Sequence, residues 1–197
     1  MGRVGLFDLE KHFAFYGAYH SNPINIVIHI LFVWPIFFTS LLFLYFTPPL
    51  FKAPELGLDY GLVFNYGFLL AAIYALFYFS LDYKAGSFAA LLCLVCWVGS
   101  SILAQRLGFS LAWKVVLASQ LFCWAGQFVG HGVFEKRAPA LLDNLTQAFL
   151  MAPFFVLLEI FQSLFGYEPY PGFHTRVKAK IGAEIKEWQD KSGKKLS

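Results

Sequence analysis

Charge is what this sequence has least of. Asp, Glu, Lys and Arg make up 14% of its 197 residues, where a soluble globular protein carries about a quarter. The formal balance of +3 is too slight to grip a phosphate backbone, which excludes nucleic acid as a partner. With so few ionic groups, lipid is the expected solvent for much of the chain. Cysteine is also scarce. Cys93 and Cys96 lie in one apolar run and Cys123 in another, so they read as small hydrophobes in helix packing. The apolar neighbours of Cys93-x-x-Cys96 supply no cation to lower a thiol pKa, which speaks against a redox pair. A cleavable leader is missing too, because MGRVGLFDLEKHFAFYGAYHSNPI carries charges where an apolar core and a small-residue cleavage site belong. The first membrane span is therefore expected to act as its own insertion signal.

What the chain has in abundance is apolar and aromatic surface: 58% hydrophobic residues, with 24 Phe, 10 Tyr and 5 Trp. A bilayer core takes about 20 apolar residues in helical form. Four stretches supply them, at Pro23–Phe46, Gly61–Leu81, Gly86–Leu107 and Leu111–Val133. Thr47-Pro48-Pro49 and the polar KAPELGLDY stretch, Asp82-Tyr83-Lys84 and Arg106-Leu107-Gly108 separate them, and the two short turns imply antiparallel neighbours. A fifth apolar stretch, Leu145–Phe165, is interrupted by Pro153 and carries Glu159, so it is expected to re-enter or lie in the interface, with a full crossing as the third alternative. From Thr175 onward, Val177, Ile181, Ile185 and Trp188 recur at helical spacing among lysines, the pattern of an amphipathic helix resting on a membrane surface. The expected architecture is an all-α, polytopic membrane bundle over residues 1–166 with an amphipathic tail over 167–197. Arg3 and Lys11, the Glu135-Lys136-Arg137 loop and the basic tail all favour the cytosol, and an even number of crossings satisfies all three. The ending Lys194-Lys195-Leu196-Ser197 reads either as a dilysine retrieval signal of endoplasmic reticulum membrane proteins or as a generic basic tail.

Four of the five histidines fall beside or inside the ends of these spans. Polar groups at membrane depth are expensive and tend to face a bundle interior where function keeps them. One cluster is Lys11-His12-x3-Tyr16-x2-Tyr19-His20-x-Asn22-Pro23-x-Asn25-x3-His29. On a helix, His12, Tyr16 and His20 share a face, as do Asn25 and His29. Asn22-Pro23 reads as a helix cap and first helical position. The other cluster is Gln127-x3-His131-x3-Glu135-Lys136-Arg137, whose first three members also share a face. Four crossings return the chain to the side where it began, so His20, His29 and His131 can meet at one rim. His174 has no such company and reads as surface. Neutral imidazoles suit iron, zinc or copper, and a histidine and carboxylate set with open positions suits non-haem Fe(II) with dioxygen. Lys11, Lys136 and Arg137 stand at the same rim, where they either receive the carboxylate of an amphiphile or simply mark the cytosolic flank.

The arrangement Tyr16-Gly17-x-Tyr19-His20-x4-Asn25-x3-His29, followed by Gln127-x2-Gly130-His131-x3-Glu135-x3-Pro139-Ala140, resembles the endoplasmic reticulum 2-hydroxy fatty acid dioxygenases of phytosphingosine breakdown to odd-numbered fatty acids. The resemblance runs from about Asp8 to Gly166. It implies Fe(II)-dependent α-oxidation, in which a 2-hydroxy fatty acid and dioxygen give carbon dioxide and an acid one carbon shorter. It also implies an endoplasmic reticulum membrane location with both termini cytosolic. His20, His29 and His131 are then the expected metal ligands, with His12 a fourth candidate. Asn25, Gln127 and Glu135 would orient them, Glu135 being also a possible ligand, and Tyr16 joins Lys11, Lys136 and Arg137 as a candidate for binding substrate. Di-iron hydroxylases rest on eight or more histidines in HxxxH and HxxHH boxes, which this chain lacks. The alternatives are a haem protein using His29 and His131 as axial ligands, or a non-enzymatic protein that binds membrane lipid.

Overall fold

The computed structural model describes residues 5–51, 62–139, 141 and 144–193. Arg3, the KAPELGLDY stretch, Ala140 and the Lys194-Lys195-Leu196-Ser197 ending lie outside the described residues. The described chain is helical, with no strand among the described residues. Helix α1 (Leu9–Tyr19) starts where the Asp8 carboxylate accepts the Lys11 backbone N–H at 3.0 Å. Helix α2 (Pro23–Leu44) begins at the expected cap, with the Asn22 side chain accepting the Ile24 N–H and proline in the first turn, where its missing N–H costs nothing. Asn65 caps α3 (Tyr66–Leu81) and donates to the Tyr45 carbonyl at 2.7 Å, fastening the start of α3 to the end of α2. Asp82 ends α3 and caps α4 (Tyr83–Val129) through the Ala85 N–H.

A 47-residue helix would be about 70 Å long at 1.5 Å per residue, more than twice a bilayer core. Gly108 breaks it, at φ 66° and ψ 163°, a conformation open to glycine and strained for other residues. The two arms fold back against α2. Cys96 on the first arm and Ser119 and Cys123 on the second line one cavity beside Trp34 and Phe38, although a continuous helix would hold Cys96 and Cys123 about 40 Å apart. Leu42, Ala104 and Ala112 close the far end of the hairpin. A single glycine thus performs the turn expected from Arg106-Leu107-Gly108.

Three helical stretches are long and apolar enough to cross a membrane, Pro23–Leu44, Tyr83–Glu135 and Gln147–Phe165, while Tyr66–Leu81 is apolar but shorter. Leu31, Leu76, Leu121 and Phe122 are 59–71% exposed, an outward apolar belt that marks a membrane protein.

The fifth apolar stretch opens with a wide π turn (Gln147–Met151) and continues as α5 (Ala152–Phe165). Pro153 explains the opening: it has no N–H for the Phe149 carbonyl four residues back. The Tyr74 hydroxyl donates to that carbonyl at 2.9 Å, and the Tyr78 hydroxyl donates to the Leu150 carbonyl at 2.9 Å. Phe154, Phe155, Val156 and Leu158 of α5 are wholly buried. Both ends of this stretch reach the end of the bundle where α2 starts: Gln147 donates to His12 at 2.8 Å, and the Tyr167 hydroxyl donates to Asp82 at 2.7 Å.

Helix α6 (Phe173–Gly193) departs from its expected placement. Its apolar stripe covers α1 instead of bare membrane surface: Phe173 and Val177 are buried, Phe13 stacks on Phe173 at 5.8 Å, and Ile181 rests on Gly17. Arg176 and Lys180 lock the pair by donating to Glu10 at 2.9 and 2.7 Å. The apolar spacing was correct, but another helix offers the stripe tighter packing than lipid does.

Candidate metal centre

Only His20, Ser21 and Asn22 join α1 to α2, so His20 is held at the mouth of the bundle, while His29 follows two turns into α2. The chain returns to the same place on a π-helical segment (Gly130–Glu135) that extends α4 and carries His131. The three rings form a triangle with centroids 4.3 Å (His20–His29), 4.9 Å (His20–His131) and 4.9 Å (His29–His131) apart, and all three residues are buried. One nitrogen from each lies within 4.8 Å of the others. Two nitrogens bound at ~2.1 Å to one ion are at most about 4.2 Å apart, so small ring rotations would close the set.

The backbone assigns the tautomers of two rings. His20 Nδ1 faces the Tyr16 carbonyl at 2.8 Å and His29 Nδ1 faces the Asn25 carbonyl at 2.9 Å. A carbonyl only accepts, so each Nδ1 carries the proton and each Nε2 keeps its lone pair. His20 Nε2 and His131 Nδ1 are buried without a hydrogen-bond partner. Buried orphans of this kind are uncommon, and two of them in one triangle of neutral imidazoles fit a cation as their shared partner. Burial, with His29 and His131 alongside, pushes the His20 pKa well below its ordinary value, which favours the ligand form of the ring.

Glu135 serves the loop beside the triangle. Its Oε1 accepts from the Ser21 N–H at 2.9 Å and the Ser21 hydroxyl at 2.5 Å; its Oε2 accepts from the Asn22 N–H at 3.0 Å and Asn25 Nδ2 at 3.1 Å. Four donors thus hold this carboxylate and, through it, the backbone next to His20. Gly130 makes room for Asn25, whose Oδ1 would collide with any Cβ there. Tyr16 stacks on His20 with centroids 4.0 Å apart, and its hydroxyl is buried without a partner. Tyr16 and Gln127 line a small cavity of ≈ 50 Å³ over the three imidazoles.

The remaining candidates stand apart from that cavity. His12 has both ring nitrogens engaged, Nε2 with the Gly5 carbonyl at 3.0 Å and Nδ1 with Gln147 at 2.8 Å, and it does not reach the triangle. Lys11 and Lys136 are exposed. Arg137 donates to the Ala18 carbonyl at 2.8 Å and lies between two rings, 3.5 Å from Tyr19 and 5.0 Å from Trp188. It ties the π segment to α1 and α6, and cation–π contact explains its preference for that slot. His174 is exposed, as expected. Ser21 and Asn22 as donors to Glu135 were not read from the sequence, although Asn22-Pro23 marked the loop.

Residues 6–164 match the family described as 2-hydroxy-palmitic acid dioxygenase Mpo1-like. Over 181 residues, 92% of this chain and 91% of the relative, the sequence is 33% identical to the 2-hydroxy-palmitic acid dioxygenase MPO1 of Saccharomyces cerevisiae. No solved structure matches the chain.

Proposed function

Because the chain belongs to the 2-hydroxy-palmitic acid dioxygenase Mpo1-like family, we propose that it is an Fe(II)-dependent dioxygenase of 2-hydroxy fatty acids. The C1–C2 bond of the substrate breaks, C1 leaves as carbon dioxide, and the C2 alcohol carbon becomes the carboxyl of an acid one carbon shorter. Dioxygen takes all four electrons from the substrate and one water is released, so no external reductant is needed. The observation that carries the iron reading is the buried triangle of neutral imidazoles with two orphaned nitrogens.

His20, His29 and His131 would hold the iron. A bound ferrous ion supplies a chelation point for the hydroxyl and carboxylate of the substrate and a partner for dioxygen. The chain's own residues do the rest. The Tyr16 and Asn25 carbonyls fix His20 and His29 in their ligand tautomers, and Glu135 holds the His20 loop in place. The Tyr16 hydroxyl and the Gln127 amide meet the polar head of the substrate in the cavity that they line. Surrounding apolar helices keep water from the reacting carbon.

The same reading covers topology. Four crossings, with Gln147–Phe165 re-entering, put the start of α2 and the end of α4 on one face, and the ties of Gln147 to His12 and of Tyr167 to Asp82 support this count. Residues 1–166 then form the bundle and 167–197 a cytosolic tail of an endoplasmic reticulum membrane protein. The test is anaerobic loading of the purified protein with Fe(II), followed by 2-hydroxypalmitate and air. Pentadecanoic acid and carbon dioxide are expected, and palmitate should remain unchanged. No shortened acid from protein carrying one iron per chain would refute the activity.

A further inference from the structure

The cavity over the imidazoles shares Trp124, Gln127 and Ala148 with a second, larger one of ≈ 130 Å³ that continues into the bundle. On α2 the path follows one face, from His29 through Val33 and Phe37 to Ser40. Opposite it, the path runs back from His131 through Gln127 and Trp124 on the second arm of α4 to Gln120. Each face covers 11 residues, or about 16 Å. Beyond the triangle the walls are apolar, supplied by Val33, Phe37, Leu70 and Phe149.

The far end is closed by a polar knot. Gln120 Nε2 donates to the Ile36 carbonyl at 3.0 Å, to Thr39 Oγ1 at 2.9 Å and to Ser40 Oγ at 3.2 Å, while its Oε1 accepts from Trp124 Nε1 at 3.0 Å. Both hydroxyls are already donating to backbone carbonyls of α2, so the knot is satisfied within itself and joins α2 to α4. A chain pushing further would have to break it.

We infer that this groove holds the acyl tail of the substrate and that the Gln120–Thr39–Ser40 knot sets its length limit. The inference rests on the proposed activity, which places the carboxylate head at the imidazoles. An extended hydrocarbon advances about 1.3 Å per ~1.5 Å carbon–carbon bond, so about 12 bonds fill the groove before the methyl end meets the knot. Together with the head carbons, that suits acids of about 14 to 16 carbons. A mostly apolar cleft with a few polar groups at one end is the usual form of a site for such an amphiphile.

Two readouts test this. The first is kcat/KM of the iron-loaded protein for 2-hydroxy acids of 8 to 20 carbons. Leu70→Trp, at a wall of the deeper cavity alone, should lower the value for 16 carbons at least tenfold and leave acids of 8 to 10 carbons as good substrates. Gln120→Ala should move the optimum about two carbons longer. The second needs no turnover: 2-hydroxypalmitate with a diazirine at its methyl end, photolysed on the parent protein, should label peptides holding Ser40, Leu70 or Gln120. Labels confined to the outer face at Leu76 and Leu121, or one length profile for parent and both variants, would overturn the inference while leaving α-oxidation intact. Labelling at the knot by a protein that shortens no acid would uphold the groove and refute the activity.

Discussion

Glu135→Gln is nearly isosteric, yet it should loosen the proposed metal centre. The carboxylate accepts two hydrogen bonds on each oxygen, all from donors on the α1–α2 connection or the first turn of α2. An amide has one accepting oxygen, so its NH₂ must face one donor pair. Ser21 is exposed and its hydroxyl can rotate to accept, so the NH₂ should turn that way. The loss is then one hydrogen bond to a charged acceptor and the weakening of two others, about 2 kcal/mol at roughly 1.5–3 kcal/mol per charged bond. That corresponds to about a 30-fold smaller population of the His20 loop in its present position. Removing a partner that orients a ligand typically costs about 10–100-fold in metal affinity, so the two estimates agree. Competition for Fe(II) against a calibrated chelator under anaerobic conditions would measure the change. Glu135→Ala, which loses all four bonds, should be weaker still. Parent-like affinity in both variants, with helical content unchanged, would refute the assignment of Glu135 as the brace of the His20 loop.

Alanine at His20, His29 or His131 should each abolish stoichiometric iron binding by elemental analysis, whereas His12→Ala should retain it because both His12 nitrogens are engaged elsewhere; iron lost equally from all four would put His12 in the site. Tyr74→Phe leaves the Phe149 carbonyl without its donor and should lower stability by about 1–2 kcal/mol. Pairing it with Pro153→Ala, which restores an N–H within the helix, should recover most of that loss in a double-mutant cycle of unfolding; strict additivity would count against the Pro153 explanation of the π turn. The Glu10 carboxyl is held at about 2, from an ordinary 4.5, first by its hydrogen bond to Lys180 and then by Arg176. A lowered pKa stabilises above the ordinary value and ceases to do so as pH falls through the lowered one, so α6 should loosen between pH 4.5 and about 2. Amide hydrogen exchange in α6 of the parent should rise across that window and stay flat in Glu10→Gln.

Much of the bundle was legible because lipid leaves so few options for an apolar run: the Asn22-Pro23 start of α2, the Asp82 turn and the break at Gly108 were all visible as punctuation. The meeting of His20, His29 and His131 followed from the chain returning to its starting side. The two π turns were not legible, because hydrophobic periodicity carries no mark for one residue added to a helical turn. The surroundings of Arg137 were not legible for another reason: it found two aromatic rings and a carbonyl, and nothing in a run of Lys and Arg names its partner. The amphipathic spacing of α6 was plain, but spacing alone does not say whether lipid or a helix such as α1 covers the stripe.

Glu135 and Arg137 sit two residues apart at the end of the π segment, one gripping the α1–α2 connection and the other α1 and α6. That short stretch acts as a rivet through three pieces of chain. Cutting away the tail helix, for instance by proteolysis, would remove none of the three clustered imidazoles and no wall of the two cavities beside them, yet it would free one side of the rivet. The affinity of the proposed metal would thereby become a property that a distant cut can tune.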